Sequence, residues 1–285
     1  MAYHDLIGLG SYAFRYAARK RESPMDCIAF VEAVARLGLT RALICENLHY
    51  SDMGGEYIRK LAKTAARHGI TVEVGMRVAS RDNLAGHIKI AQALGAKLVR
   101  LVLGDTTHDT LLRDRERRHL MAQALPAIKA VTPLLEDGDI SLGIENHFDL
   151  HAVELLELVQ QINSPRVGLI FDSTNCLCFA EKPHDVLRLM KGHLLSVHIK
   201  DYDCTKVDGG YMFSGVDLGE GVLDIPGLIK TAHGYNPRAS FIVEYNMQPA
   251  TSLPENELLA WEEERAAKNV KLTVAAVTQA LDPGN

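Results

Sequence analysis

The sequence predicts an α/β barrel of eight parallel strands, each followed by a helix. Three observations carry that expectation. Eight short apolar runs alternate with amphipathic stretches from one end of the chain to the other. Those runs are continuous rather than alternately apolar and polar, which suits strands buried on both faces. The chain has 285 residues, enough for one barrel of about 250 residues with modest insertions. Nothing resembling G-x-G-x-x-G follows a strand, which weakens the open dinucleotide-binding alternative.

The strands are expected at Leu6–Gly10, Ala42–Glu46, Thr71–Met76, Leu98–Leu103, Ile140–Glu145, Val167–Asp172, Leu194–Ile199 and Ser240–Tyr245. Helices fill the gaps. Ser23-Pro24 offers an N-cap followed by a proline at the first helical position. Leu37-Gly38-Leu39, His68-Gly69-Ile70 and Leu94-Gly95-Ala96 each read as a helix stopping at a glycine before the next strand. No low-complexity linker interrupts the pattern, so a single domain over residues 1–285 is expected. Two segments exceed a plain barrel. Asp201 to Gly221 reads as a long connection rich in Gly and Asp, placed to act as a lid over the rim. The last helix, Glu255 to Leu281, carries the one tryptophan, Trp261. Packing on the barrel is its plainer reading; a subunit contact, which would make the chain a homo-oligomer, is the sharper one.

Hydrophobic residues make up 47% and charged residues 24% of the chain, ordinary for a globular protein. The net charge of −5 argues against a nucleic-acid partner, which calls for a basic stripe. No apolar segment approaches the ~18 residues needed to cross a bilayer, so no membrane partner is expected. The start, Met-Ala-Tyr-His-Asp, lacks a signal-peptide pattern. Five cysteines, an odd number without a C-x-x-C pair, favour a reducing compartment. A cytoplasmic protein is expected. Cys176 and Cys178 read as packed core residues.

Four residues with metal-ligating side chains end four successive strands. They are Glu145 in Ser-Leu-Gly-Ile-Glu-Asn-His, Asp172 in Gly-Leu-Ile-Phe-Asp-Ser-Thr-Asn, His198 in Leu-Ser-Val-His-Ile-Lys-Asp, and Glu244 in Phe-Ile-Val-Glu-Tyr-Asn. Strand ends on one rim of a barrel converge. Three carboxylates gathered there would repel one another and resist burial unless a cation held them. One divalent ion is therefore expected. Oxygen and nitrogen ligands without thiolate suit Mg²⁺, Mn²⁺, Co²⁺ or Zn²⁺ alike; Mn²⁺ is taken as the first expectation, though the ligand set does not choose among them.

These motifs resemble those of the sugar phosphate isomerase/epimerase family with the xylose-isomerase-like barrel. Gly219-Glu220-Gly221-Val-Leu-Asp224 and the opening Gly-Leu-Gly-Ser-Tyr-Ala fit the same resemblance, which covers nearly the whole chain. It implies that Glu145, Asp172, His198 and Glu244 are the metal ligands, and that the two glutamates flank a carbohydrate substrate and pass a proton. A metal on a ketone oxygen and its neighbouring hydroxyl acidifies the carbon between them, and a carboxylate with a free oxygen can act as base. An isomerase or epimerase working on a small keto sugar is the first implication. One position departs. Similar ketose 3-epimerases carry histidine three residues after the sixth-strand aspartate, where this chain has Asn175. Asparagine can hydrogen-bond a sugar but cannot take a proton. Asp-Ser-Thr-Asn with Leu-Gly-Glu-Gly-Val-Leu-Asp-Ile-Pro looks closer to branches that decarboxylate 3-oxo sugar acids or cleave 3-oxo glycosides.

Further candidates surround the quartet. His147 would point to the same side as Glu145, as a base or a hydrogen-bonding neighbour. Lys200 is placed to pair with a substrate carboxylate or enolate oxygen, or else with Asp201 or another rim acid. Arg100 lies inside an apolar strand and needs a buried partner, so it is an internal ion pair or an anion holder. Arg77, Glu46 and Tyr12, with Ser11, Arg15 and Asn47, are candidates for contact with sugar hydroxyls.

Overall fold

Eight strands close on themselves in the order β1-β10-β7-β6-β5-β4-β3-β2, every neighbouring pair parallel. The structure is a computed structural model describing residues 3–20, 22–105, 111–249 and 251–282. The barrel strands are β1 (Ile7–Gly10), β2 (Arg41–Ile44), β3 (Thr71–Arg77), β4 (Leu98–Val102), β5 (Ser141–Glu145), β6 (Val167–Asp172), β7 (Leu194–Ile199) and β10 (Ser240–Val243). The outer helices are α1 (Arg15–Ala18), α2 (Cys27–Arg36), α3 (Gly55–His68), α4 (Arg81–Leu94), α5 (Asp114–Asp137), α6 (Ala152–Ile162), α7 (Pro183–Leu189), α8 (Ile225–Tyr235) and α9 (Glu255–Leu281). The chain is a single-domain (β/α)₈ barrel. Its core is the apolar filling between strands and helix ring, with Phe30, Tyr50, Phe171 and Phe241 among its largest fully buried side chains. Among the described residues no helix is long and apolar enough to cross a membrane.

The punctuation of α2 differs from expectation. It starts at Cys27, and its N-cap is Asp26, whose carboxylate accepts the Ala29 N–H at 2.8 Å. Ser23 has φ +52° and stands three residues outside. An aspartate with an N3 donor in reach caps as well as serine does. The glycine stops hold: Gly38, Gly69 and Gly95 have φ of +76°, +65° and +69°, the left-handed region in which glycine escapes the Cβ penalty.

The segment after β7 is not an irregular loop. It forms an antiparallel hairpin, β8 (Asp201–Val207) and β9 (Gly210–Val216), joined by Asp208 and Gly209. The positive φ of the turn falls on Gly210, at +152°, a conformation glycine adopts without a Cβ penalty. At its base the Asp201 carboxylate accepts backbone N–H groups from Tyr202, Gly219, Gly221 and Leu223 at 2.9–3.3 Å. Gly215 lies so close to the Asn246 carbonyl that a Cβ there would clash with backbone. The hairpin is thus pinned beside the end of β10. Along α9, Glu262 accepts the N–H groups of Tyr16 and Ala17 at 2.8 and 2.9 Å. Trp261 meets the Tyr16 ring edge-on at 6.4 Å between centroids, so it packs within its own chain.

Candidate active site

Glu145, Asp172 and His198 close their strands on the carboxyl rim, and one potential ligand atom from each lies within 4.8 Å of the others. Register brings them together. The pairing of β6 with β7 slips by one residue between Leu169 and Ile170, so that Asp172 stands opposite His198. Side chains alternate faces along a strand, so without that slip the aspartate would face Val197 instead. Glu244 follows directly after β10, with its N–H on the Ile199 carbonyl. Its carboxylate lies across β1 at Gly10, where a Cβ would come within 2.9 Å of Oε1. Gly10 is what lets Glu244 reach the cluster.

The four side chains are buried, and their atoms are unequally committed. Asp172 Oδ1 accepts from the N–H groups of Thr174 and Asn175, both at 2.9 Å, and from the Thr174 hydroxyl. Its Oδ2 faces only the Lys200 ammonium, at 2.6 Å. Glu145 Oε1 accepts from Asn175 Nδ2 at 3.0 Å, and its Oε2 accepts from Arg100 Nε. Glu244 Oε2 lies 3.0 Å from Lys200 Nζ, while its Oε1 has no hydrogen bond. His198 makes no hydrogen bond through either ring nitrogen; Nδ1 stands 3.5 Å from both Glu145 Oε2 and Glu244 Oε1. Buried polar atoms without partners are rare and ask for a reason. Lone-pair nitrogen and carboxylate oxygen gathered without thiolate fit a divalent cation.

Charge shapes the same groups. Burial pushes the Asp172 carboxyl above its usual range, against the pull of Lys200. Burial would raise Glu145 too, but the Arg100 guanidinium and His198 hold it well below. Burial pulls Lys200 down, and Asp172 with Glu244 more than reverse that. His147, pressed at 4.3 Å on the Phe148 ring, is pushed by burial down to about 3. It is neutral at physiological pH, with Nδ1 unpartnered.

A second cluster adjoins the first. Glu46 lies past the end of β2, in a short 3₁₀ turn (Glu46–Leu48), rather than on the strand. It accepts from Arg77 Nε and, at 3.0 Å, from the Tyr12 hydroxyl. Burial and the Glu46 charge push that phenol up to about 12. Arg100 Nη1 stands 3.7 Å from Glu46 Oε2. Arg100 is therefore an internal ion pair linking Glu46 to Glu145. Ser11 and Asn47 bond each other at 2.6 Å, and Arg15 bonds Asn246 at 3.0 Å. Lys200 pairs with Asp172 and Glu244 and not with Asp201, whose carboxylate serves the hairpin base.

Beside the cluster opens a cavity of about 260 Å³, lined by Asn175, Lys200, Tyr202, Phe213, Ser214 and Asn246 among others. The hairpin thus walls the catalytic rim, as expected of the segment. Sequence reasoning passed over Phe148, Tyr202 and Phe213 as part of that wall. A larger cavity of about 800 Å³ lies at the opposite end of the barrel, around Val167, Leu194 and Arg238. It holds none of the quartet. Cys176 is buried in the core and Cys178 half-buried, with thiols pushed up by burial. No cysteine is bridged.

The sequence profile of the xylose isomerase-like TIM barrel matches residues 7–267. The chain belongs to that family. It is similar to 3-oxo-isoapionate decarboxylase of Pectobacterium atrosepticum, with 30% identity over 242 residues, 84% of this chain and 85% of the relative. Among solved structures it resembles a xylose isomerase-like TIM-barrel protein from Mycobacterium smegmatis in complex with magnesium, at TM-score 0.76 and 16% identity over 99% of both chains. It also resembles a D-psicose 3-epimerase studied with D-fructose, at TM-score 0.71 and 16% identity over 95% of this chain and 99% of that one. At such identities these two show a shared barrel. Together, family and site make the chain an enzyme of the isomerase or lyase kind.

Proposed function

We propose that the chain is a divalent-metal-dependent lyase that decarboxylates a 3-oxo sugar acid. One observation carries this choice over epimerisation: the two rim glutamates are not equivalent. Epimerisation removes a proton on one face of a carbon and returns one on the other, which calls for two proton-transfer groups. Glu145 has both oxygens bound, to Arg100 and to Asn175, and its charge is held by Arg100. Asn175 cannot exchange protons. Glu244 keeps one free oxygen. Decarboxylation needs only one such group. The bond to the carboxylate breaks, carbon dioxide leaves, and the electron pair stays on the carbon beside the ketone. That carbon then takes up a single proton.

Glu145, Asp172, His198 and Glu244 would hold the cation, Mn²⁺ first, which when bound supplies Lewis acidity toward the substrate carbonyl. Glu244 is placed to hold and deliver the proton at Oε1. Lys200 offers a cation to the substrate carboxylate, and neutral His147 a hydrogen bond. Arg77, Glu46 and Tyr12, hydrogen-bonded to one another and tied to the quartet through Arg100, would fit sugar hydroxyls. The relative named for decarboxylating a 3-oxo sugar acid supports the substrate class. Unbridged cysteines suit a cytoplasmic enzyme.

The test is incubation of Mn²⁺-loaded protein with 3-oxo sugar acids in D₂O, followed by ¹³C NMR and carbon dioxide capture. We expect one equivalent of carbon dioxide and one deuterium on the carbon that lost it. A product with its carbons intact and an exchanged or inverted centre would replace this reading with epimerisation.

A further inference from the structure

Lys200 holds the very oxygens that a metal ion would use. Its Nζ lies 2.6 Å from Asp172 Oδ2 and 3.0 Å from Glu244 Oε2. Asp172 has no other oxygen to give, because Oδ1 serves three donors from Thr174 and Asn175. An ammonium and a divalent ion on the same oxygen would stand within a few ångströms of each other, where like charges repel strongly. The lysine backbone is fixed: its N–H donates to Ser173 Oγ at 2.8 Å, and the Ser173 hydroxyl donates to its carbonyl at 2.7 Å. Only the four-carbon stem is free to turn. The side chain already borders the cavity shared with Asn175, Ser214 and Asn246.

From this geometry, and resting on the metal reading of the quartet, we propose that Lys200 is a displaceable cation. It holds Asp172 and Glu244 until the metal takes their oxygens. It then turns into the adjoining cavity, where its ammonium binds the carboxylate of the acidic substrate. The device sets an order, metal before acid, and selects for a carboxylate. Binding free energies are reciprocal. A carboxylate that captures the ammonium therefore tightens the metal by the factor with which the metal tightens the carboxylate.

Calorimetric titration of Mn²⁺ into wild type and Lys200→Met tests this, each with and without a saturating aldonate that lacks the 3-oxo group. In wild type the aldonate should tighten Mn²⁺ about tenfold, within the usual range of such couplings. Lys200→Met should bind Mn²⁺ more tightly than wild type when no acid is present, and should lose most of the gain from the aldonate. A variant with unchanged or weaker metal binding, or with the full gain, overturns the proposal. If wild type binds no Mn²⁺, the metal reading of the quartet fails first and this inference falls with it. If wild type binds metal but Lys200 behaves otherwise, only the inference falls. A crystal structure of the Mn²⁺-loaded wild type gives a second reading that needs no variant. Nζ is expected beyond 4 Å from Asp172 Oδ2, and an ammonium still bonded to both carboxylates would overturn the exchange.

Discussion

Glu145 and Glu244 carry the same side chain but lose different things when neutralised. Glu145→Gln would leave the buried Arg100 guanidinium with the more distant Glu46 carboxylate, 3.7 Å away, and weakening a buried ion pair costs stability. It also removes a metal charge, so the variant should be less stable and need far more Mn²⁺ for half-maximal rate. Glu244→Gln alters the carboxylate whose Oε1 makes no hydrogen bond. Its kcat should fall by about 10²–10⁴, the usual size of a general acid–base contribution, and saturating Mn²⁺ should not restore it. Steady-state kinetics against Mn²⁺ concentration separates the two. A Glu244→Gln enzyme with near-normal kcat would remove that residue from proton transfer. That both glutamates stand at strand ends was legible in the sequence because strand-end position is a matter of chain order. What each oxygen already binds is a three-dimensional fact. It depends on Arg100 crossing from β4, on Asn175 turning back after β6, and on a register slip that no periodicity announces.

The hairpin shows the same division at the level of elements. Its turn signal, Asp208-Gly209 between apolar-flanked runs, stood in the sequence, yet the segment read as a loop because Gly and Asp dominate its composition. Its place on the rim was legible, since it follows the strand bearing His198. Helix stops at Gly38, Gly69 and Gly95 were equally legible because a single left-handed glycine decides them. The start of α2 was not, because Ser23-Pro24 and Asp26 are competing caps and the helix begins after the later one. Asp201 is the residue on which the hairpin turns. It gathers four backbone N–H groups in a buried position, and hydrogen bonds to a charged acceptor are worth about 1.5–3 kcal/mol each. Asp201→Ala should cost about 2–3 kcal/mol in urea unfolding, allowing for water reaching some of the freed groups. It should also raise KM more than it lowers kcat, since the hairpin walls the cavity and none of its residues belongs to the quartet. Unchanged stability and KM together would show that the hairpin is held by something else.

Across the whole molecule the barrel separates its two ends. The candidate site residues crowd the carboxyl rim, whereas the amino end carries an ion pair between neighbouring strands. There Arg41 Nη1 meets Glu73 Oε1 at 2.9 Å, the glutamate side chain only 2% exposed and the arginine 19%. Conserving the barrel while changing the chemistry is possible because loops at one end do the binding and the other end supports the fold. That separation predicts an absence of coupling. Glu73→Ala leaves a half-buried guanidinium short of its partner. Because Arg41 retains some water, the cost should be about 2–3 kcal/mol, below the figure for a fully buried pair. Metal binding at the rim should add about 2.7 kcal/mol at a hundredfold excess over Kd. Sites without shared partners add to within about 0.5 kcal/mol. Urea unfolding of wild type and Glu73→Ala, each in Mn²⁺ and in chelator, closes the cycle. The metal's contribution should be equal in both proteins. A coupling well above 0.5 kcal/mol would mean that the ion pair at the bottom of the barrel reaches the quartet at the top through the strands, and that the two ends are not independent.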